Sequence, residues 1–276
     1  MNDLSYTAKV FKTVWVSDIH LGTKGSRAKE FLEFLKIIEC EKIFLVGDIV
    51  DGWQLSKRWY WPQTHNDVVQ KILEKAKKGT EIIFIPGNHD EVARDFIGLT
   101  MGGIKVKDDD IHYTADGKKF WVVHGDLFDN VIQHARWLAY IGDWAYVFLL
   151  KTNAVFNAIR RLFKLPYWSL SQYLKSKVKL AVSFMSAFEK SIATETRRRG
   201  CDGVICGHIH KAEMKMVEDI MYANDGDWVE SMTALVENFD GKLEIIEWSK
   251  TKGKLTPVEG VKSVSYTHLR AHETGY

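Results

Sequence analysis

The chain has 276 residues, 46% of them hydrophobic, and a net charge of +2 from 38 basic and 36 acidic side chains. That balance alone points to no polyanionic partner, and the apolar fraction suffices for one large core, with or without an insertion. Three cysteines (Cys40, Cys201, Cys206) lack paired or metal-type spacing, which suits a reducing compartment and speaks against a disulfide framework.

Met1 to Lys12 has no apolar run of the kind a secretory signal needs. Val14–Ser17 predicts a short strand, followed by polar Asp18-Ile19-His20. Arg27–Cys40 has helical periodicity, with Phe31, Phe34, Leu35 and Ile38 on one face. Ile43–Val46 predicts a second strand, Asp67–Lys78 a helix stopped by Gly79, and Ile82–Ile85 a third strand. Lys119–Val123 and Gly203–Cys206 predict two more. Four further β-rich runs follow: Met214–Val217, Ile220–Ala223, Met232–Glu237 and Leu243–Trp248. The last two are joined by a hairpin signal at Asn238–Gly241. Short apolar runs separated by helices imply an α/β fold with buried, largely parallel strands, and ligands in such folds sit beyond the carboxyl ends of the strands.

Residues 127–199 break this pattern. They are helical in character, aromatic-rich and strongly basic, with twelve Lys and Arg side chains. The stretch reads as a helical cap inserted between core segments 1–126 and 200–248, and its charge predicts contact with an anion or an anionic surface. The longest apolar stretch, Trp137–Leu150, is too short for a simple membrane-spanning helix. Residues 249–263 read as a C-terminal tail. Val264–Thr274 (VSYTHLRAHET) looks like a translated sequencing adapter, so 264–276 is set aside as an artefact.

The polar motifs all fall at expected strand ends. Asp18 and His20 stand two residues apart at a strand end, where alternation turns both the same way, so they are expected to face one ion. Asp48 follows Gly47, with Asp51 nearby as a helix N-cap or a support for a ligand. Asn88, His89 and Asp90 follow Pro86-Gly87; an Asn oxygen suits a hard divalent cation. His124 precedes Gly125-Asp126, and His208 and His210 flank Ile209. Five of the ten histidines sit in these motifs, and no thiolate does, which argues against a structural zinc site. Mixed Asp, Asn and His donors suit Mn²⁺, with Fe, Zn²⁺ or Mg²⁺ as alternatives.

The blocks SDIHLG, GDIVDGW, GNHD, VHGD and GHIHKA resemble the signature of the calcineurin-like metallophosphoesterase superfamily, over roughly residues 10–126 and 200–248. The resemblance implies a β-sandwich flanked by helices. It implies two metal ions, one held by Asp18, His20, Asp48 and His210, the other by Asp48, Asn88, His124 and His208, with Asp48 bridging. The insertion and the Trp of GDIVDGW are similar to the UDP-2,3-diacylglucosamine diphosphatases of lipid A biosynthesis. That narrower likeness implies attack of a metal-bridging hydroxide, giving UMP and 2,3-diacylglucosamine 1-phosphate. One position departs: His89 stands where the best-known diphosphatases carry Arg. This keeps a second reading open, hydrolysis of another lipid phosphate or a nucleotide phosphodiester.

His89 is expected to stabilise the phosphoryl group or protonate the leaving oxygen, and Asp90 either to orient His89 or to cap its loop. Asp126 is expected behind His124. Trp53, Arg160, Arg161 and Lys164 are candidate substrate contacts, and Arg197–Arg199 reads as a phosphate clamp or a charged helix end. Each basic residue near an anionic leaflet adds about 1 kcal/mol of attraction. The expected location is therefore cytoplasmic, peripheral on the inner membrane of a Gram-negative-type bacterium. No nucleic-acid partner is expected. A scaffold without metal is disfavoured because none of the seven ligands is missing.

Overall fold

The computed structural model describes residues 9–128, 170–249 and 254–258. In chain order the elements begin with β1 (Lys9–Val16), α1 (Ala28–Ile37), β2 (Ile38–Val46), α2 (Gly52–Lys57), α3 (Gln63–Lys77) and β3 (Glu81–Ile85). Then come β4 (Thr100–Met101), β5 (Ile104–Val106), β6 (Asp110–Tyr113), β7 (Lys119–Val122) and α4 (Leu170–Arg198). The series closes with β8 (Gly203–Cys206), β9 (Glu213–Val217), β10 (Ile220–Asn224), β11 (Thr233–Glu237), β12 (Leu243–Ser249) and β13 (Lys254–Pro257).

The strands form two sheets, an eight-stranded one ordered β13-β12-β11-β1-β2-β3-β5-β4 and a five-stranded one ordered β6-β7-β8-β10-β9. In the centre of the large sheet β1, β2, β3 and β5 run parallel. β7, β8 and β10 do the same in the small one. Antiparallel strands complete both edges, so the sheets are mixed. The period-2 alternation of a strand sorts its side chains between two cores. Val14, Val16, Ile43 and Leu45 face α1 and α3, packing with Phe31, Phe34, Val68 and Ile72. Trp15, Phe44, Val46, Ile83 and Ile85 face the other way, against Phe120, Val122, Ile205 and Met221 of the small sheet. Strands buried on both faces explain the continuous apolar runs in the sequence.

Several boundaries differ from expectation, β1 and β2 each starting five residues early, at Lys9 and Ile38. α1 stops at Ile37 rather than Cys40, because Ile38, Glu39 and Cys40 pair with Lys9, Val10 and Phe11 of β1. Sheet pairing overrides helical periodicity there. α3 starts at Gln63, directly after Pro62. The stretch expected as a tail contains β13, which pairs with β12.

The chain divides into two compact units, Met1–Asp126 with Glu195–Tyr276, and Leu127–Thr194. In the second unit the Phe128 ring meets Phe188 edge-on, with centroids 6.1 Å apart. Arg160, Arg161, Lys164 and the aromatic residues from Trp137 to Trp168 lie outside the described residues. No described helix is long and apolar enough to cross a membrane.

Candidate metal centre

Seven sequence-selected residues follow the carboxyl ends of five strands. Asp18 and His20 follow β1, Asp48 follows β2, Asn88 follows β3, His124 follows β7, and His208 and His210 follow β8. The large sheet thus supplies three of these loops and the small sheet two. Asp18 and His20 do not share a face by strand alternation, since β1 has already ended at Val16. Asp18, His20, Asp48, His208 and His210 instead all have left-handed backbones, with φ between 52° and 72°. Asp and His tolerate this conformation better than most residues, and such strain collects at functional sites.

Three groups of donors form among the described residues, one of them, His20, Asp51 and His89, turned away from Asp48 through the Nδ1 side of both rings. Asp18, His20 and His210 make the second, Asp48, His124 and His208 the third, each with ligand atoms within 4.8 Å of one another. His210 Nε2 lies 3.0 Å from Asp18 Oδ1, and His124 Nε2 lies 3.5 Å from Asp48 Oδ2. Asp48 Oδ2 also stands 3.9 Å from His20 Nε2, so a single carboxylate oxygen faces both of these last groups. Asp48 Oδ1 is occupied, accepting from the His89 amide at 2.8 Å. Gly47 and Gly87 make the close approach feasible: a Cβ on Gly47 would enter the His124 ring, and one on Gly87 would strike Asp48 and His124.

The donor atoms fit a pair of cations. Asp48 Oδ2, His20 Nε2, His124 Nε2 and both side-chain polar atoms of Asn88 are buried and make no hydrogen bond. Buried polar atoms are ordinarily paired, and unpaired carboxylate and imidazole atoms gathered around Asp48 Oδ2, with an unpaired Asn88 oxygen on the neighbouring loop, are the donor types a divalent ion requires. The imidazoles are fixed from behind. His124 Nδ1 donates to the Val46 carbonyl at 2.7 Å, and His20 Nδ1 lies 3.1 Å from Asp51 Oδ2. Each arrangement turns Nε2 toward the pocket as an acceptor.

Electrostatics follow this packing. Burial alone pushes the Asp18 carboxyl up, but His210, His124 and His20 more than reverse it, leaving Asp18 well below the usual carboxylate range. Asp48 is likewise lowered, with His124 overcoming burial. Burial lowers the His124 imidazole, yet Asp48 and Asp18 push it up to about 10 in the metal-free chain.

One supporting role differs from expectation, and two others follow readings the sequence left open. His124 is oriented by Val46, not by Asp126, which instead pairs with Arg94 at 2.6 Å. Among the described contacts, Asp90 does not orient His89. It accepts from the amides of Gly87 and Ile49 at 2.6 and 2.8 Å, and from Asp48 and Val50 at 3.3 Å. It is a clamp on two loops, and burial followed by the Asp48 charge raises its carboxyl. Asp51 is the acid nearest the ring, with Oδ2 3.0 Å from His89 Nδ1 but without a hydrogen bond to it, while Oδ1 caps α2 at the Gln54 amide. Its position three residues after Asp48 was the available signal.

His89 stands beside the centre, its Nε2 3.9 Å from Asp48 Oδ2. Trp53 packs over it at 4.4 Å between centroids and remains 44% exposed. Arg197–Arg199 is not an open clamp. Arg197 pairs with Glu218 and Asp219, Arg198 with Glu195, and Arg199 with Asp109. Sequence reading also passed over Ser17 and Asp225, both buried behind Asp18.

The calcineurin-like phosphoesterase family profile matches residues 11–212, across all five motif-bearing loops. The chain belongs to the calcineurin-like phosphoesterase family. Among curated relatives, a UDP-2,3-diacylglucosamine hydrolase of Blochmanniella pennsylvanica is 25% identical over 208 residues, covering 72% of this chain and 78% of that protein. The enzyme of the same name from Edwardsiella ictaluri is 23% identical over 204 residues, covering 72% and 76%. Among solved structures, the E. coli phosphoesterase Yfce aligns at 14% identity and a TM-score of 0.43, covering 89% of this phosphoesterase and 97% of its own chain.

Proposed function

We propose that this phosphoesterase hydrolyses UDP-2,3-diacylglucosamine, with Asp18, His20, Asp48 and His210 holding one divalent cation and Asp48, Asn88, His124 and His208 the other. Mn²⁺ is the ion we favour from the oxygen and imidazole donors. The observation carrying the reading is the ring of buried acceptors without hydrogen bonds around Asp48 Oδ2. Bound cations would supply a water made acidic, with a pKa near about 7, and charge neutralisation at the phosphoryl oxygens.

The chain's own residues divide the remaining work. The Asp51 carboxylate lies 3.0 Å from Nδ1 of His89, a negative charge beside a ring whose Nε2 would donate to the leaving oxygen. Asp90 keeps the two loops bearing Asp48 and Asn88 in register. Trp53 offers a half-open aromatic face beside His89, suited to the nucleotide or the sugar. Water adds to the α-phosphorus, the bond to the bridging oxygen breaks, and UMP and 2,3-diacylglucosamine 1-phosphate leave. The two similarly named relatives support this substrate. The basic, aromatic segment 127–199, with Arg160, Arg161 and Lys164, suits an acylated anionic substrate and a peripheral position on the inner membrane.

His89, in place of the Arg of the best-known diphosphatases, favours a second reading, hydrolysis of a different phosphoester at the same centre. Assay of the Mn²⁺-loaded chain on UDP-2,3-diacylglucosamine, bis-p-nitrophenyl phosphate and cyclic nucleotides separates them. The proposal expects UMP release to be the preferred reaction. Turnover of the generic diester without UMP release would overturn the substrate while leaving the metal centre standing.

A further inference from the structure

Asp18 is braced from behind by a buried chain of groups. Its Oδ2 accepts from the His208 amide at 2.8 Å and lies 2.6 Å from Ser17 Oγ. Its Oδ1 faces His210 across 3.0 Å on the pocket side. Ser17 Oγ is in turn 2.7 Å from Asp225 Oδ1 and 3.2 Å from the Gly226 carbonyl. Asp18, Ser17 and Asp225 are all buried. Gly207 packs so closely on Ser17 that a Cβ there would run into its side chain, which confines the hydroxyl to this position.

A serine has one hydroxyl proton. Here it stands between oxygens of two carboxyl groups, at 2.6 and 2.7 Å. If both groups were ionised, one of those short contacts would have no proton in it. Asp225 Oδ2 also makes no hydrogen bond, which a buried ionised carboxylate would need. Both difficulties vanish if Asp225 is a neutral acid that donates to Ser17 while Ser17 donates to Asp18. Burial raises the Asp225 carboxyl well above its ordinary value, and the Asp18 charge acts in the same direction.

We propose that Asp225, acting through Ser17, is a positioning residue for Asp18: the relay fixes one carboxylate oxygen and presents the other to the cation. The inference rests on the metal-centre reading above. Asp225 lies just beyond β10, far in sequence from Ser17, and β10 pairs with β8, the strand that delivers His208 and His210. One sheet therefore places both imidazoles and the back support of the carboxylate that stands with His210 at one cation site.

The test is calorimetric titration of the metal-free full chain with Mn²⁺, comparing Ser17→Ala, Asp225→Leu and Asp225→Asn with the unmodified protein. Loss of such support typically weakens a metal site by about 10–100-fold. Ser17→Ala and Asp225→Leu are expected to weaken one of the two ions by that factor. Asp225→Asn is expected to stay within about threefold, because its amide donates to Ser17 from the same place. Infrared spectra at pH 7 are expected to contain a protonated-carboxyl band that Asp225→Asn removes. Should Asp225→Leu not fold, Ser17→Ala and Asp225→Asn carry the comparison.

Unchanged affinity for both ions in Ser17→Ala would overturn the proposal, as would the absence of the carboxyl band. Asp18→Ala is the control that separates the two levels. If it abolishes one ion while Ser17→Ala changes nothing, the relay alone is wrong. If Asp18→Ala binds both ions normally, the metal-centre reading itself fails and the relay with it.

Discussion

The two halves of the centre are built differently. Asp48, His124 and His208 are buried, with His124 pinned to a backbone carbonyl and crowded by Gly47 and Gly87. The Asp18, His20 and His210 half opens outward: the His210 side chain is 33% exposed, and His89 and Trp53 stand on that side of the centre, His89 4.7 Å from the His20 ring. A deep, preorganised half should hold its ion tightly and set the position of everything else. An open half leaves coordination space where a phosphate can enter.

The largest effect is expected where the halves meet. Asp48→Ala removes the oxygen that faces both groups, and steady-state assay should show turnover falling by about 10³-fold or more. Next comes the contrast between His124→Ala and His210→Ala. Removing His124 strips a buried partner from the Val46 carbonyl and Asp48 and should destabilise the metal-free chain by about 1–3 kcal/mol in chemical denaturation. His210→Ala removes the partner 3.0 Å from the buried Asp18 carboxylate, but at a position water can reach, so it should cost less than His124→Ala in the same denaturation experiment. Calorimetry should show the tighter Mn²⁺ lost in the first variant and the weaker one lost in the second. Equal losses in both would erase the distinction between the halves.

Protonation sharpens the same contrast. His124 is raised to about 10 in the metal-free chain, so below that pH it is protonated and a cation must displace its proton. Affinity at the deep half should rise by about tenfold per pH unit between pH 6 and 8, with proton uptake by the buffer measurable in the heats. The linkage sign for the empty chain is opposite. A raised histidine contributes stability fully below its unfolded value, near about 6.5, and loses it as pH rises through about 10. The smallest effect is expected at the rim. Trp53→Ala should raise KM by about three- to tenfold while leaving kcat within about twofold, as for a contact equal in ground and transition states.

How far the sequence foretold this arrangement depends on the kind of signal. Strand ends were legible because buried parallel strands are continuous apolar runs, and the polar residue that ends each run is conspicuous. Asp18, His20, Asp48, Asn88, His124, His208 and His210 were selected that way, and the fold gathers Asp18, His20 and His210 in one group and Asp48, His124 and His208 in another. The reason given for the Asp18 and His20 pairing was wrong, since left-handed turns rather than strand alternation aim them. Supporting partners were less legible, because a hydrogen bond to a backbone carbonyl leaves no trace in residue type. Val46 behind His124 is such a case. Asp51 was legible as a helix cap and a support for a ligand, and it acts as both; for Asp90 the sequence left orienting His89 and capping its loop open, because only three-dimensional register decides which acid meets an imidazole. Asp225 carried no signal, lying 208 residues from Ser17. The short strands β4, β5 and β6 were missed, having too few residues for a period to register.

The central claim is that two cations share Asp48. Metal analysis of the Mn²⁺-reconstituted chain after gel filtration tests it most directly. The account predicts about two ions per chain in the unmodified protein and at most one in Asp48→Ala. Two ions retained in Asp48→Ala, or none bound by the unmodified chain at saturating Mn²⁺, would contradict it.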